Sequence, residues 1–375
     1  MKKSFLKYFA IIITLFLLPI IYLSTIGLET NAFNNQIKNI VKESNTNLNL
    51  DLKKIKLKLD PIKLKFNAKT VGAKIYYFKR PLELEYIKTE VSLSSIIKNK
   101  FVSSNLEIVS RTLALNDLIK FMRAGYQGPE LFVLEKIVKK GHVIFDLKIN
   151  YDQNGKIKDD YEIKGTIKDG KIQLLNNYSF EKINFKFNIN QEVFKFQDIK
   201  FALNKINFFS KKVNIKQDKH IFYVDGIIEN KQSNLSKNFL KIININLKNL
   251  NLENTIFSSN NNFKFEINKK FKLNNIFLKS DINLNKIKYK KESYVSDYFP
   301  KVNDEIVLKN HQIKLEYNKN LLSISGEGEI KAEENYNKID YVFKKDDQNF
   351  KIQSNLILDS ISLKKQDFLN TFFPS

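Results

Sequence analysis

From Leu48 onward the apolar residues of this chain fall on alternate positions, with Lys, Asn or Asp between almost all of them. Leu48, Leu50 and Leu52 are followed by Ile55, Leu57 and Leu59, and these by Ile62, Leu64 and Phe66. Side chains on a strand alternate between its two faces, so this period of two predicts half-buried strands. The one-residue slips between the triplets predict β-bulges. Val91 and Leu93 end another such strand. After Gly141 the alternation resumes and holds almost to the end: Ile167 and Ile172 flank Asp169-Gly170, and Phe185, Phe187 and Ile189 share one face. Ile242 to Leu252, Phe263 to Ile267 and Ile282 to Leu284 repeat the style. Asp169-Gly170 carries the strongest hairpin signal and Asn154-Gly155 a second, because such pairs accept the positive φ that tight turns require. Gly326-Glu327-Gly328 lies inside an alternating stretch and reads as a strand bend.

Two stretches depart from this period. Asn31 can cap a short amphipathic helix in which Phe33, Ile37, Ile40 and Val41 share a face. Between Asn116 and Gly141 the spacing becomes helical. Asn116 stands as a cap before Leu118, Ile119, Phe121 and Met122, Pro129 suits a first helical position before Leu131, Leu134, Ile137 and Val138, and Gly141 marks the exit. Two short helices that cover an end of a sheet are the expectation.

The first residues are of another kind. Tyr8 to Leu28 is a run of 21 residues without a charge, preceded by Lys2, Lys3 and Lys7 and closed by Glu29. A helix of that length spans roughly 30 Å, the thickness of a bilayer core. The leading lysines predict a cytoplasmic N-terminus with the bulk of the chain across the membrane. Phe9, Ile12, Leu15, Leu18, Ile21 and Leu23 are the residues expected to meet lipid. A cleaved signal peptide is the competing reading, but its apolar region is shorter, and the exit through Leu23, Ser24, Thr25, Ile26, Gly27 and Leu28 lacks a clean pair of small residues. Pro19 kinks such a helix without forbidding it.

An internal repeat at an offset of 74 residues orders the last third. Lys279 to Lys301 aligns without gaps on Gln353 to Ser375, with seven of 23 pairs identical, among them Leu284/Leu358, Ile287/Ile361, Phe299/Phe373 and Pro300/Pro374. This predicts a solenoid-like array of strand groups, each closed by a short helical turn, with the last copy truncated. The expected organisation is an anchor over 1–29, a β unit over 30–112, a helical insertion over 113–141 and repetitive β units over 142–375. The fold class is mainly β: a transmembrane helix, then an elongated, repetitive antiparallel sheet forming a groove, with few short helices.

Composition narrows the chemistry. The chain has no cysteine, which excludes disulfides, thiolate metal sites and a Cys nucleophile. Its net charge of +23 is almost all lysine, with Arg80, Arg111 and Arg123 the only arginines. Nucleic-acid recognition favours the planar fork of Arg, and these lysines alternate along strands without clustering, so they read as a solvated face and not as a nucleic-acid footprint. His142, His220 and His311 lack the spacing of metal ligands and read as surface or edge residues. Asp159-Asp160, Glu333-Glu334 and Asp346-Asp347 lie beside lysines near turns. No catalytic, metal or cofactor-binding residue emerges, and no cofactor is expected. The long apolar face must pack on something: a second sheet, a helix, or a guest such as acyl chains.

The anchor followed by Phe33-x-x-x-Ile37, the strand block from Leu48 to Phe66, and the block from Leu82 running into Leu93-Ser94-Ser95-Ile96-Ile97 resemble the AsmA-like proteins of bacterial envelopes, the TamB/YhdP group. The stretch from Gly141 to Gly226 is similar to their repetitive strand units. The resemblance implies a periplasmic β-groove held in the inner membrane, akin to bridge-like lipid-transfer proteins. Its partners would be phospholipid acyl chains, the inner membrane and an outer-membrane protein at the distal end. Leu57, Leu59, Ile167, Ile172, Phe185, Phe187, Ile189, Ile282 and Leu284 are the expected groove-lining residues. One departure is length, since roughly 20 strands at about 4.8 Å reach only about 100 Å. Phospholipid transport between the two membranes, or outer-membrane homeostasis, is the leading expectation. A structural or assembly factor with a self-packed core is the alternative.

Overall fold

The computed structural model describes residues 2–93, 103–152, 156–174, 178–242, 249–268, 270, 272–291, 299–346 and 349–357. Among them the chain is mainly β, with 21 strands that pair antiparallel and few helices. It divides into two compact units. The first comprises Met1–Ile172 with Asn184–Phe194, and the second comprises Gln173–Ile183 with Lys195–Ser375.

The first unit opens with helix α1 (Lys2–Thr25), strand β1 (Leu28–Thr30) and helix α2 (Asn34–Ser44). Strands β2 (Leu48–Asp51), β3 (Ile55–Asp60), β4 (Lys65–Val71), β5 (Lys74–Tyr77), β6 (Arg80–Ser92), β7 (Ser103–Ser110) and β8 (Leu113–Ala114) follow. Helices α3 (Leu115–Gly125) and α4 (Pro129–Ile137) then precede β9 (Val138–Asn150) and β10 (Glu162–Leu174). Pairing runs β1, β3, β4, β6, β7, β9, β10. β2 and β5 form a branch on the first half of β6, while its second half pairs β4. Leu84, fully buried, sits where β6 changes partner.

Strands β11 (Tyr178–Asn190) and β12 (Val193–Leu203), like β10 at its last two residues, are divided between the units. In the second unit β13 (Ile206–Asp218) and β14 (Ile221–Asn234) lead to helix α5 (Lys237–Ile242). Next come β15 (Leu250–Asn251), β16 (Ile256–Asn268), β17 (Leu273–Lys290), β18 (Glu305–Asn318), β19 (Leu321–Lys331), β20 (Tyr336–Asp346) and β21 (Phe350–Ile357). Each long strand pairs the next, and β15 lies on β17.

Several sequence-based expectations are corrected. Asp169-Gly170 is not a hairpin but a bulge inside β10: both residues face Gly141 of β9, and Asp169 holds φ 51°. A positive φ next to glycine serves a bulge as well as a turn. Tight turns form instead at Phe78-Lys79 and Asn204-Lys205, where both residues have positive φ, the geometry of a type I′ hairpin. Gly141 does not end α4 but lies in β9 at φ 139°. Asn31 does not cap α2, whose N-cap is Phe33, and Asn116 does not cap α3, whose N-cap is Ala114. The slips between the first apolar triplets are not bulges: residues 52–54 link β2 to β3, and Ile62 and Leu64 lie exposed in the β3–β4 turn, Leu64 at φ 51°. Ile242 ends a helix and is not in a strand. Gly326 and Gly328 sit within β19 and leave room for the rings of Tyr341 and His311.

Two helices do occupy the interruption, with Pro129 in the first turn of α4. Arg123 of α3 pairs with Glu135 of α4, and Leu115, Leu118 and Phe121 pack on Leu82, Leu84, Leu113 and Val143. Asn154-Gly155 lies outside the described residues, although the flanking Tyr151 and Ile157 bridge antiparallel. The second repeat copy beyond Ile357 and the segment 292–298 of the first also lie outside them.

Candidate functional site

The alternation of β3, β4, β6 and β7 places apolar residues of four strands in register. Ile55 stands opposite Thr70, Thr70 opposite Ile87, and Ile87 opposite Ile108. The next row is Leu57, Ala68, Thr89 and Leu106, and a third is Leu59, Phe66 and Val91. α2 lies across them. Phe33, Ile37 and Val41, four residues apart and so on one helical face, pack against Leu50, Leu52, Ile55 and Ala73.

The packing leaves space. An apolar cavity of ≈ 340 Å³ lies among α2, the β2–β5 branch and the rows of β3, β4, β6 and β7. Its walls include Phe33, Ile37, Val41, Leu50, Ile55, Leu57, Phe66, Ile75, Ile87, Leu106 and Ile108. That volume falls within the roughly 300–1,000 Å³ typical of small-molecule pockets. Its few polar groups are placed apart: Thr89 donates to the Asn105 carbonyl (2.7 Å), whereas the buried Thr70 hydroxyl has no partner among the described residues. Tyr151 also lines the wall, and burial raises its phenol above the usual range.

Beside the cavity, and sharing Leu52 with it, lies a polar pocket lined by Asn31, Asn34, Asn35, Lys38, Lys53 and Lys54. The Asn34 amide donates to the carbonyls of Leu52 (3.3 Å) and Lys53 (3.0 Å), which ties the start of α2 to the chain after β2. Asp51 stands 3.8 Å from Lys38.

Of the groove residues expected from sequence, Leu57 lines this cavity and Leu59 lies one row further along β3. Ile167 and Phe187 pack on the cluster of Leu82, Leu84, Leu113 and Val143; the Phe185 ring lies edge-on to Phe187 at 6.3 Å. Ile172 pairs with Val138, and Ile189 is half-buried. Leu284 packs in the second unit against Ile206, Phe239 and Phe257, with Ile282 half-buried beside it. Within the first unit the cavity cluster and the cluster that Ile167 and Phe187 join adjoin, with Ile75 and Ile87 packed against both. Missed altogether were Leu106 and Ile108. Phe33, Ile37 and Val41 were legible as a helix face but not as the wall of a cavity.

The second unit has a buried cluster of Ile206, Phe239 and Phe257. Phenylalanine rings run from Phe180 to Phe201 (5.8 Å), Phe208 (5.3 Å), Phe239 (6.2 Å) and Phe257 (5.8 Å), so α5 is seated by one ring between two strands.

His142 and His220 are exposed, but His311 is neither surface nor edge: it is buried in β18. Its Nε2 lies 3.1 Å from the Glu329 carbonyl, its Nδ1 has no partner among the described residues, and burial lowers its basicity. On β6 and β7, Tyr86 donates to Glu107 (2.6 Å), and this bond, with burial, pushes the phenol up to about 12.

Of the anchor residues, Leu15, Leu18 and Ile21 are exposed and Leu23 is half-buried, while the side chains of Phe9 and Ile12 lie outside those described. Counting only described residues, which begin at Thr14 for the side chains of α1, no helix is long and apolar enough to cross a membrane. No protein-family model, curated protein or solved structure matches the chain.

Proposed function

We propose that this protein is a lipid-handling component of a bacterial envelope, held in the inner membrane by α1, with its β units in the periplasm. It takes part in phospholipid transport toward the outer membrane or in outer-membrane homeostasis. The observation that carries this reading is the ≈ 340 Å³ cavity whose walls are almost wholly apolar. Each acyl methylene moved from water into such a space gains about 0.8 kcal/mol, enough for the cavity to retain a chain without any cofactor or catalysis.

The anchor is supported by sequence and by exposure together. The uncharged run Tyr8–Leu28 lies largely in one helix, and Leu15, Phe16, Leu17, Leu18, Ile21 and Tyr22, on all its sides, are exposed. A helix that is apolar all round has a non-aqueous environment as its physical home. The short β1 then carries the chain onto β3, with Leu28 opposite Leu57, a wall residue of the cavity.

A second reading, a scaffold or assembly factor with a self-filled core, is favoured by the packed phenylalanine rings of the second unit. Native mass spectrometry with lipid extraction, on full-length protein exchanged out of detergent, separates the two. Phospholipid retained by the wild type, and reduced in a cavity-filling Ala68→Phe variant of unchanged fold, supports lipid handling. A stable lipid-free protein overturns it in favour of the scaffold.

A further inference from the structure

We propose that the polar pocket at the start of α2 is the headgroup seat of a phospholipid whose acyl chain occupies the adjoining cavity, and that it selects an anionic, phosphate-bearing head. The inference rests on the lipid-handling reading and adds to it a ligand class and an orientation.

Three observations converge. First, the two spaces adjoin: Leu52 lines both, and α2 presents Phe33 and Ile37 to the apolar one and Asn34 and Lys38 to the polar one. An amphiphile is the ligand class that satisfies such a pair, because a purely apolar guest leaves the polar side unused and a free anion leaves the apolar side empty. Second, the pocket's charge is positive. Lys38, Lys53 and Lys54 line it, and Asp51 stands 3.8 Å from Lys38, which leaves an excess of cationic donors for phosphate oxygens. The amides of Asn31 and Asn35 supply further donors for glycerol or phosphate oxygens, while that of Asn34 holds the pocket's edge to the Leu52 and Lys53 carbonyls. Third, the pocket is close to the helix read as the anchor. Asn31 follows the end of α1 at Thr25 by six residues, at most about 20 Å of chain. A lipid leaving the bilayer therefore meets this pocket first, head at the polar side and tail under α2.

The test compares three full-length proteins purified from the same membranes into detergent-free form: wild type, the triple variant Lys38→Glu, Lys53→Glu, Lys54→Glu, and a control reversing Lys211, Lys212 and Lys237 on the second unit. Bound lipid is quantified by class. Wild type and control should both carry phosphatidylglycerol enriched over phosphatidylethanolamine relative to the membrane. The triple variant should lose at least roughly 5-fold of that enrichment, the worth of about one lysine near an anionic headgroup, while still carrying lipid.

Equal enrichment in the triple variant overturns the headgroup seat and leaves the lipid cavity standing. Equal loss in the control reduces the effect to overall charge and also overturns it. A wild type without lipid overturns the inference together with the reading beneath it. Inorganic phosphate provides the last arm: if millimolar phosphate protects the amides of residues 34–38 from exchange as well as phosphatidylglycerol does, the pocket is a free-anion site and the proposal falls.

Discussion

Helix α5 has six residues and cannot persist alone, since isolated helices shorter than about 12 residues are marginal in water. What holds it is Phe239, buried between Phe208 at 6.2 Å and Phe257 at 5.8 Å, with its amide donating to the Ser236 hydroxyl. Phe239→Ala removes both ring contacts and leaves a cavity, a loss of about 3–5 kcal/mol by comparison with other buried phenylalanines. Each ring pair supplies roughly 0.5–1.5 kcal/mol of that beyond burial. Because α5 is short and terminal to its strands, the loss should appear locally. Hydrogen exchange of the 235–242 peptide should quicken by about 100-fold or more, the factor that 3 kcal/mol commands. Peptides of β3, β4 and β6 should exchange as in the wild type. The second half of the experiment is a cycle with Phe257→Ala: if the two rings share one cluster, the double variant costs about 0.5–1.5 kcal/mol less than the sum. Unchanged protection in 235–242, or strict additivity, refutes the claim that a ring seats this helix.

Four further outcomes are expected. Gly328→Ala places a Cβ 2.6 Å from the His311 ring inside paired strands, and should cost about 1–3 kcal/mol in urea unfolding; a neutral effect would show that the ring has room to turn. His311 has a folded-state basicity lowered by burial, so the unfolded chain binds the extra proton. Its contribution to stability is present above the ordinary histidine range near about pH 6.5 and is lost as pH falls through the lower folded value. His311→Gln should flatten the fall in urea midpoint between about pH 7.5 and pH 5, and an unchanged slope assigns it to other groups. Gly141→Ala meets Leu115 at 2.6 Å and the Gly170 Cα at 2.9 Å, at a φ of 139° that only glycine accepts easily, and should destabilise the first unit by more than about 1 kcal/mol in thermal melts. Ile352→Ala, on the exposed β21, should stay within about 0.5 kcal/mol of the wild type, and a larger loss would mean that the strand is covered.

The period-two pattern made the strands legible because each has one wet and one dry face, but the slips after Leu52 and Leu59 mark a link and a turn between strands, while a bulge lies at Asp169-Gly170. Turns were misread for a compositional reason. With 11 glycines in the chain, positive φ is carried by Asn, Asp, Lys and even Phe78, so the glycine-based hairpin signal pointed to a bulge at Asp169-Gly170 while the turn at Phe78-Lys79 carried no signal. The cavity was half legible. Leu57, Leu59 and the face of α2 could be assigned to apolar surfaces, but the branch of β2 and β5 on β6 is a long-range pairing that no local period encodes. Without it nothing distinguishes a cavity-lining Leu106 from a packed Ile167. The burial of His311 was likewise invisible, because it depends on Gly328 facing it from the next strand.

The bulges carry a further consequence. A strand that reads Lys, Ile, Lys, Leu over a dozen residues looks the same to its neighbour after a slide of two positions, so alternation alone is a ruler without numerals. In this chain β10, β17 and β18 each carry a residue of positive φ at a point where their pairing slips, namely Asp169, Asn275 and Asn310. In β10 and β18 the partner strand places Gly141 or Gly328 there. Such a pair fits in one alignment only. A slide of two would drive the left-handed residue into regular ladder and leave the glycine facing a side chain. These few positions act as detents, and they let the rest of each strand drift freely among Lys, Asn, Ile and Leu over evolutionary time without the sheet losing its place.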